Sequence, residues 1–199
     1  MTRKKDTLTE WMEESAAVRV KLLAGRGKPG FAAAGGLAGK TGMEIMRAML
    51  AGELPYSHMA ETLDFALIAV EPGKATFQGT PQIKHYNTMG TVHGGWYATL
   101  LDSAVGCAVQ TLMPAGRGYT TAELSINIVR AASHETGPLR AIGTVIHCGK
   151  QLATAEGRIV GPDGKLYAHA TTTCLVFELA GRGWARGALP GRDAHPFGG

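Results

Sequence analysis

Between His93 and Arg117, in HGGWYATLLDSAVGCAVQTLMPAGR, one side chain is formally charged, Asp102, within a run that is otherwise neutral and mostly apolar. A lone carboxylate in such surroundings costs several kcal/mol unless it is paired, solvated or neutralised. The run opens on two glycines and stops at Pro114 and Gly116, so it reads as one long helix from about Gly94 to Met113. Its length approaches a membrane span, but Asp102, Ser103, Gln110 and several glycines dilute it, and a buried core helix is the better reading. A helix apolar on most sides must be wrapped by other elements. Ala98, Ala104, Gly106 and Ala108 would let strands approach it closely.

The elements for that wrapping are legible on both sides of the run. TLDFALIAV, the turn EPG and KATFQGT read as a hairpin. Four strands are expected afterwards, over 119–130, 139–148, 152–160 and 165–178, forming an antiparallel meander separated by Gly137-Pro138, Gly149-Lys150 and GPDGK. The first alternates, with Ala122, Leu124, Ile126 and Ile128 on one face and Thr121, Glu123, Ser125 and Asn127 on the other. Upstream, residues 7–23 suggest a helix opened by Thr7 and Glu10 in capping-box spacing, and TGMEIMRAMLAGELP a second one ended by Gly52 and Pro55. The chain is thus expected to divide into an N-terminal helix and Gly/Ala linker (1–40), one domain (41–179) and a mobile Gly/Arg/Pro-rich tail (180–199).

Two function classes are set aside here. The net charge of +4 comes from the flanks: residues 1–40 carry eight Lys/Arg against four Asp/Glu, whereas 41–179 carry nine against eleven. No basic stripe is interleaved with aromatics, so no nucleic-acid partner is expected. Ala34 to Thr41, AGGLAGKT, nearly spells a phosphate-binding loop, but GRGKPGFAA before it is no buried strand, and a flexible linker is the better reading. Cys107, Cys148 and Cys174 are odd in number, widely spaced and set in apolar surroundings. They fit reduced thiols in a cytoplasmic protein rather than a disulfide frame or a metal site. The N-terminal fifteen residues lack the apolar stretch of a secretory signal, and no membrane partner is expected.

Chemistry concentrates in NTMGTVHGGWYATLLD. Glycines at a helix start expose backbone N–H groups at the positive end of the helix dipole and let a carbonyl approach closely. Donors aimed where an oxyanion develops are the physics of acyl transfer. His93 and Asn87 could add a polar hold or simply fasten the loop. Asp102 lies eight residues beyond Gly94, about 12 Å along a helix rising about 1.5 Å per residue. One ester or thioester cannot touch both. If both serve one reaction they come from two chains, with two copies of the helix running antiparallel across a twofold axis.

Asn87, His93-Gly94-Gly95 after five residues, and Asp102 after a further six, closing on Leu-Leu-Asp, resemble the hotdog-fold acyl-CoA thioesterases, specifically the PaaI-like group. The similarity covers about 41–178. The resemblance implies an α+β fold: an antiparallel sheet wrapped around one long central helix, here with extra N-terminal helices, dimeric and often tetrameric. It implies hydrolysis of acyl-CoA thioesters to a carboxylic acid and coenzyme A, with no metal and no cofactor beyond the coenzyme A of the substrate. Carried over by position, Gly94 supplies the N–H that polarises the thioester carbonyl, and Asn87 and His93 hold that carbonyl or its loop. Asp102 is the general base or the nucleophile, and Thr121 positions water or the carboxylate. Gly95 and Trp96, with Tyr97, would line the substrate, and Arg130 and Lys150 would meet the coenzyme A phosphates. Relatives acting on hydroxybenzoyl-CoA often carry Glu where this chain has Asp102, and the shorter arm leaves more room for water. The alternative is a non-catalytic acyl-CoA binding or sensing protein on the same fold, which has no need of Asp102 or its oxyanion donor.

Overall fold

The computed structural model describes residues 6–24, 28–32 and 34–179. The tail 180–199, with its expected mobility, lies outside the described residues. The central element is the expected helix, α5 (Gly94–Gln110). Around it curls one antiparallel six-stranded sheet made of β1 (Phe65–Glu71), β2 (Lys74–Gly79), β3 (Arg117–Ile128), β4 (Leu139–Cys148), β5 (Leu152–Val160) and β6 (Leu166–Glu178). This is the hotdog architecture. Its core is made where Leu100, Leu101, Ala104 and Ala108 of α5 meet Phe77, Leu139, Ala141 and Ile159 of the sheet. Each large apolar side chain so buried contributes about 1.5–3 kcal/mol.

Small residues let the sheet close on the helix, but the decisive ones lie on the strands. A Cβ on Gly143 of β4 would stand 2.3 Å from the Ala104 carbonyl oxygen, so only glycine allows the sheet to come this near. Ala98 borders an open hollow beside Asp102, which Thr121 and Leu124 of β3 also line.

The strand order is β1-β2-β4-β5-β6-β3, which corrects the simple meander. Strand β3 pairs with β6 and lies at the far edge of the sheet, while β4 pairs with β2. The ten residues 129–138 between β3 and β4 are too long for a tight hairpin and cross to the other side of the sheet. A second correction follows inside β3. Its pairing with β6 slips between Thr121 and Glu123, making Ala122 the extra residue of a bulge. Buried Thr172 donates its hydroxyl to the Glu123 carbonyl beside it (2.6 Å). The bulge resets the alternation, so Thr121 and Leu124, expected on opposite faces, both look towards α5.

The N-terminal part adds four helices: α1 (Thr7–Ala24), a single turn α2 (Ala34–Leu37) inside the stretch expected to be linker, α3 (Gly42–Leu50) and α4 (His58–Thr62), also unanticipated. α1 is capped by Asp6, whose carboxylate accepts the Thr9 N–H (2.8 Å), rather than by Thr7. Asp is a strong N-cap, and its charge suits the helix dipole. The reciprocal capping box occurs instead at α3: the Thr41 hydroxyl accepts the Glu44 N–H, and Glu44 accepts the Thr41 N–H. Those bonds hold the Glu44 carboxyl below its usual range. Thr41 thus ends AGGLAGKT as a helix cap, and what precedes that stretch is an isolated bridge from Pro29 to Tyr56 rather than a strand. α1 is fastened to the outer side of the sheet by Arg140 of β4. That guanidinium bonds Gln78 (2.8 Å) and Glu14 (2.6 Å) and stacks over Trp11 at 4.4 Å.

Candidate active site

The start of α5 is held by its own loop. Asn87 spends its side chain there: Oδ1 accepts the N–H groups of Met89 and Thr91, and Nδ2 donates to the Thr91 hydroxyl (3.0 Å). This is an Asx-type turn, and it leaves Asn87 fastening the loop. His93 is the N-cap of α5. Its N–H donates to the His85 carbonyl (2.8 Å), and its Nδ1 accepts the Gly95 N–H (2.8 Å). The Gly95 donor, expected to be free for a ligand, is therefore taken. The Gly94 N–H has no acceptor among the described residues. Of the two glycines, Gly94 is the one whose donor stands ready at the helix terminus.

Asp102 lies two turns further along on the face the sheet leaves uncovered, half-buried rather than sealed in the core. The Thr121 hydroxyl donates to its Oδ1 (3.1 Å), a contact that depends on the bulge at Ala122. The carboxylate and Thr121 border a cavity of about 480 Å³ lying between β3, β1 and the N-terminal helices. Two nearby groups are held in their neutral forms. Burial, with the charge of Asp102 adding to it, pushes the Cys107 thiol up to about 12 and the Tyr119 phenol well above its usual value. Neither offers an anion at neutral pH.

Other expected site residues fall elsewhere. Trp96 does not line a pocket. It is 2% exposed, donates its indole N–H to the Leu63 carbonyl (3.1 Å) and stacks on His85 on the core side of α5. Tyr97 is equally buried. The helix turns Trp96 towards Leu63 and Gly79, where β1 begins and β2 ends, and Tyr97 towards the segment after β3, where its hydroxyl donates to the Arg130 carbonyl (3.5 Å). Arg130, exposed just past the end of β3, is tied to the Leu166 carbonyl through Nε and lies over the Tyr167 ring. Lys150 sits in the β4–β5 turn, where its carbonyl accepts from Arg117 at the opposite end of β3. The two cations are separated by on the order of 30 Å of strand, so one chain cannot close them on a single phosphate. The structure therefore brings Thr121 to Asp102 and His93 to the two glycines, but keeps Gly94 and Asp102 about 12 Å apart on one helix. Tyr119 and the far wall of the cavity escaped sequence reasoning, because they come from segments with no local motif.

Comparison with known proteins converges on the same segment. The model of the thioesterase superfamily matches residues 89–168, which hold α5, the glycines and Asp102. A 1,4-dihydroxy-2-naphthoyl-CoA hydrolase of Listeria monocytogenes is 29% identical over 119 residues, 59% of this chain and 94% of the relative. A candidate esterase of Halobacterium salinarum is 33% identical over 88 residues, 43% of this chain, and the match spans only about half (56%) of that relative's length. Among solved structures, a phenylacetic acid degradation-related protein of Ralstonia eutropha, described as a candidate thioesterase, is 29% identical. It superposes with a TM-score of 0.60 over 65% of this chain and 98% of its own. Family model, fold and motif agree: residues 89–168 match the thioesterase superfamily, and the chain is similar in fold to thioesterases of known structure.

Proposed function

We propose that the protein hydrolyses acyl-CoA thioesters to a carboxylic acid and free coenzyme A. The observation that carries this reading is the Asp102 carboxylate, held at one oxygen by Thr121 and facing a cavity, on a helix that begins with the unpartnered Gly94 N–H. Two routes are open to Asp102. As a base it takes a proton from water, which attacks the thioester carbon; as a nucleophile it forms an anhydride that water then opens. Either way the carbonyl oxygen gains negative charge, which the Gly94 N–H and the dipole of α5 stabilise. Coenzyme A leaves as the thiolate and is protonated by solvent. The reaction needs no metal and no cofactor.

Because Gly94 and Asp102 stand about 12 Å apart in one copy, we place each reaction centre between two copies, Gly94 from one and Asp102 from the other. The edge position of β3 and the uncovered face of α5 support at least a homodimer, and a homotetramer is compatible with the exposed outer-face residues Glu156 and Arg158 of β5 and Leu175 of β6. No helix of the described residues is long and apolar enough to cross a membrane. We place the protein in the cytoplasm on its three free cysteines. The test is a panel of acyl-CoA thioesters assayed for thiol release, with Asp102→Asn alongside. Loss of general-base or nucleophilic chemistry lowers kcat by about 10²–10⁴-fold. Acyl-CoA binding with no turnover in the wild type would favour the binding or sensing protein, and turnover surviving in Asp102→Asn would remove Asp102 from the chemistry.

A further inference from the structure

The cavity beside Asp102 has walls of unequal origin. Asp102 and Thr121 stand on one side, Phe65, Leu67 and Phe77 come from the hairpin, and Leu22 of α1 and Met49 of α3 close it. Most of the polar groups along it are occupied within the chain. The Tyr56 hydroxyl donates to Glu61, Asp64 pairs with Lys84 at 2.5 Å, and the Ser57 hydroxyl caps α4 by accepting the Ala60 N–H. Tyr56 stays protonated because burial and Glu61 push it up to about 12. What is left to meet a ligand is mainly apolar surface, with the exposed Arg19 at the rim. The wall built by α1 is firmly held: Arg140 clamps its first half, and Gly52 packs against the Lys21 carbonyl, where a Cβ would come within 2.6 Å.

Building on the thioesterase reading, we infer that this cavity receives the acyl group and that α1, a segment outside the matched family region, sets its size through Leu22. The acyl group is then uncharged and apolar. At about 30 Å³ per water-sized group, a chain of about ten non-hydrogen atoms fills roughly 60% of the space, which places the preferred saturated substrate near eight carbons. A longer chain meets Leu22 and Met49. A charged end would have to cross apolar walls to reach Arg19, and burying it would be costly.

The experiment measures kcat/KM for saturated acyl-CoA thioesters of four to fourteen carbons, together with ω-carboxy analogues, in the wild type, Leu22→Ala, Leu22→Trp, Met49→Ala, Arg19→Ala and Asp102→Asn. The wild type should peak near eight carbons. Leu22→Ala and Met49→Ala should each raise the ratio of twelve-carbon to eight-carbon kcat/KM about tenfold, and Leu22→Trp should move the optimum shorter. Destabilisation alone lowers all lengths together, so the ratio reads the pocket itself, and two enlarging variants on different helices guard against one failing to fold. An identical length profile in all three variants overturns the assignment. So does a preference for ω-carboxy substrates that disappears in Arg19→Ala. Hydrolysis that persists in Asp102→Asn overturns the underlying thioesterase mechanism instead, which separates the two failures.

Discussion

Trp96 and Asp102 stand six residues apart on one helix, yet they answer to opposite demands. On the core side of α5, Trp96, Tyr97, Leu100, Leu101, Ala104, Val105 and Ala108 are at most 2% exposed and meet the sheet. On the other side, Gly94, Ala98, Thr99, Asp102 and Ser103 are only half-covered and face a hollow. The first face is tuned for volume, and its polar tips, the Trp96 indole N–H and the Tyr97 hydroxyl, donate to the main-chain carbonyls of Leu63 and Arg130. The second face keeps unspent polar capacity, at the Gly94 N–H and at the Asp102 carboxylate. A single helix thus supplies both the core that holds the fold and the groups proposed to react, and the two can be altered separately.

The sharpest contrast comes from a pair of substitutions. Leu101→Ala leaves a hole in the core and should lower stability by about 2–5 kcal/mol, read as a fall in Tm, while a folded fraction keeps its kcat. Gly94→Pro should do the reverse. Proline is well suited to the first helical position, and His93 already has the extended backbone (φ −64, ψ 138) that a residue before proline requires. The fold survives, the N–H is gone, and kcat should fall about 10²–10³-fold, the cost of losing one oxyanion donor. A Gly94→Pro protein that melts early but turns over normally would erase the distinction between the faces.

A smaller effect is expected at Thr121, which acts through the carboxylate it holds. Thr121→Val should reduce kcat about tenfold, close to the 1.4 kcal/mol of one modest hydrogen bond, and leave KM nearly unchanged. Thr121→Ser should restore most of it. If both variants behave alike, the hydroxyl is not positioning Asp102.

Much of this contrast was legible in the sequence. Gly94 and the Pro114-Gly116 stop bracket α5, and the EPG turn marks the first hairpin, because glycine, proline and periodicity are local signals. The presence of one acid among apolar residues also separated Asp102 from its neighbours. What stayed hidden depends on contacts between distant segments. Alternation assumes an unbroken strand, so nothing in Thr121-Ala122-Glu123 announced the bulge that turns Thr121 to Asp102. An aromatic at a helix start, such as Trp96, suits a pocket or plain core alike, and only the direction of the helix face sends it into the core. Arg130 and Lys150 carry the right charge for phosphates, but the edge placement of β3 puts them at opposite ends of the sheet. The cavity wall from α1 needed the docking through Arg140, a contact spanning 126 residues.

The central claim is that Gly94 and Asp102 act together from two copies of the chain. It is tested by mixing two inactive proteins, Gly94→Pro and Asp102→Asn, dissociating and reassembling them, and measuring thiol release. In a mixed dimer, one site combines both defects and the other combines an intact Gly94 with an intact Asp102. Random reassembly should therefore recover about a quarter of the wild-type rate. A mixture that stays as inactive as its two components would place both groups within one chain and contradict the shared site.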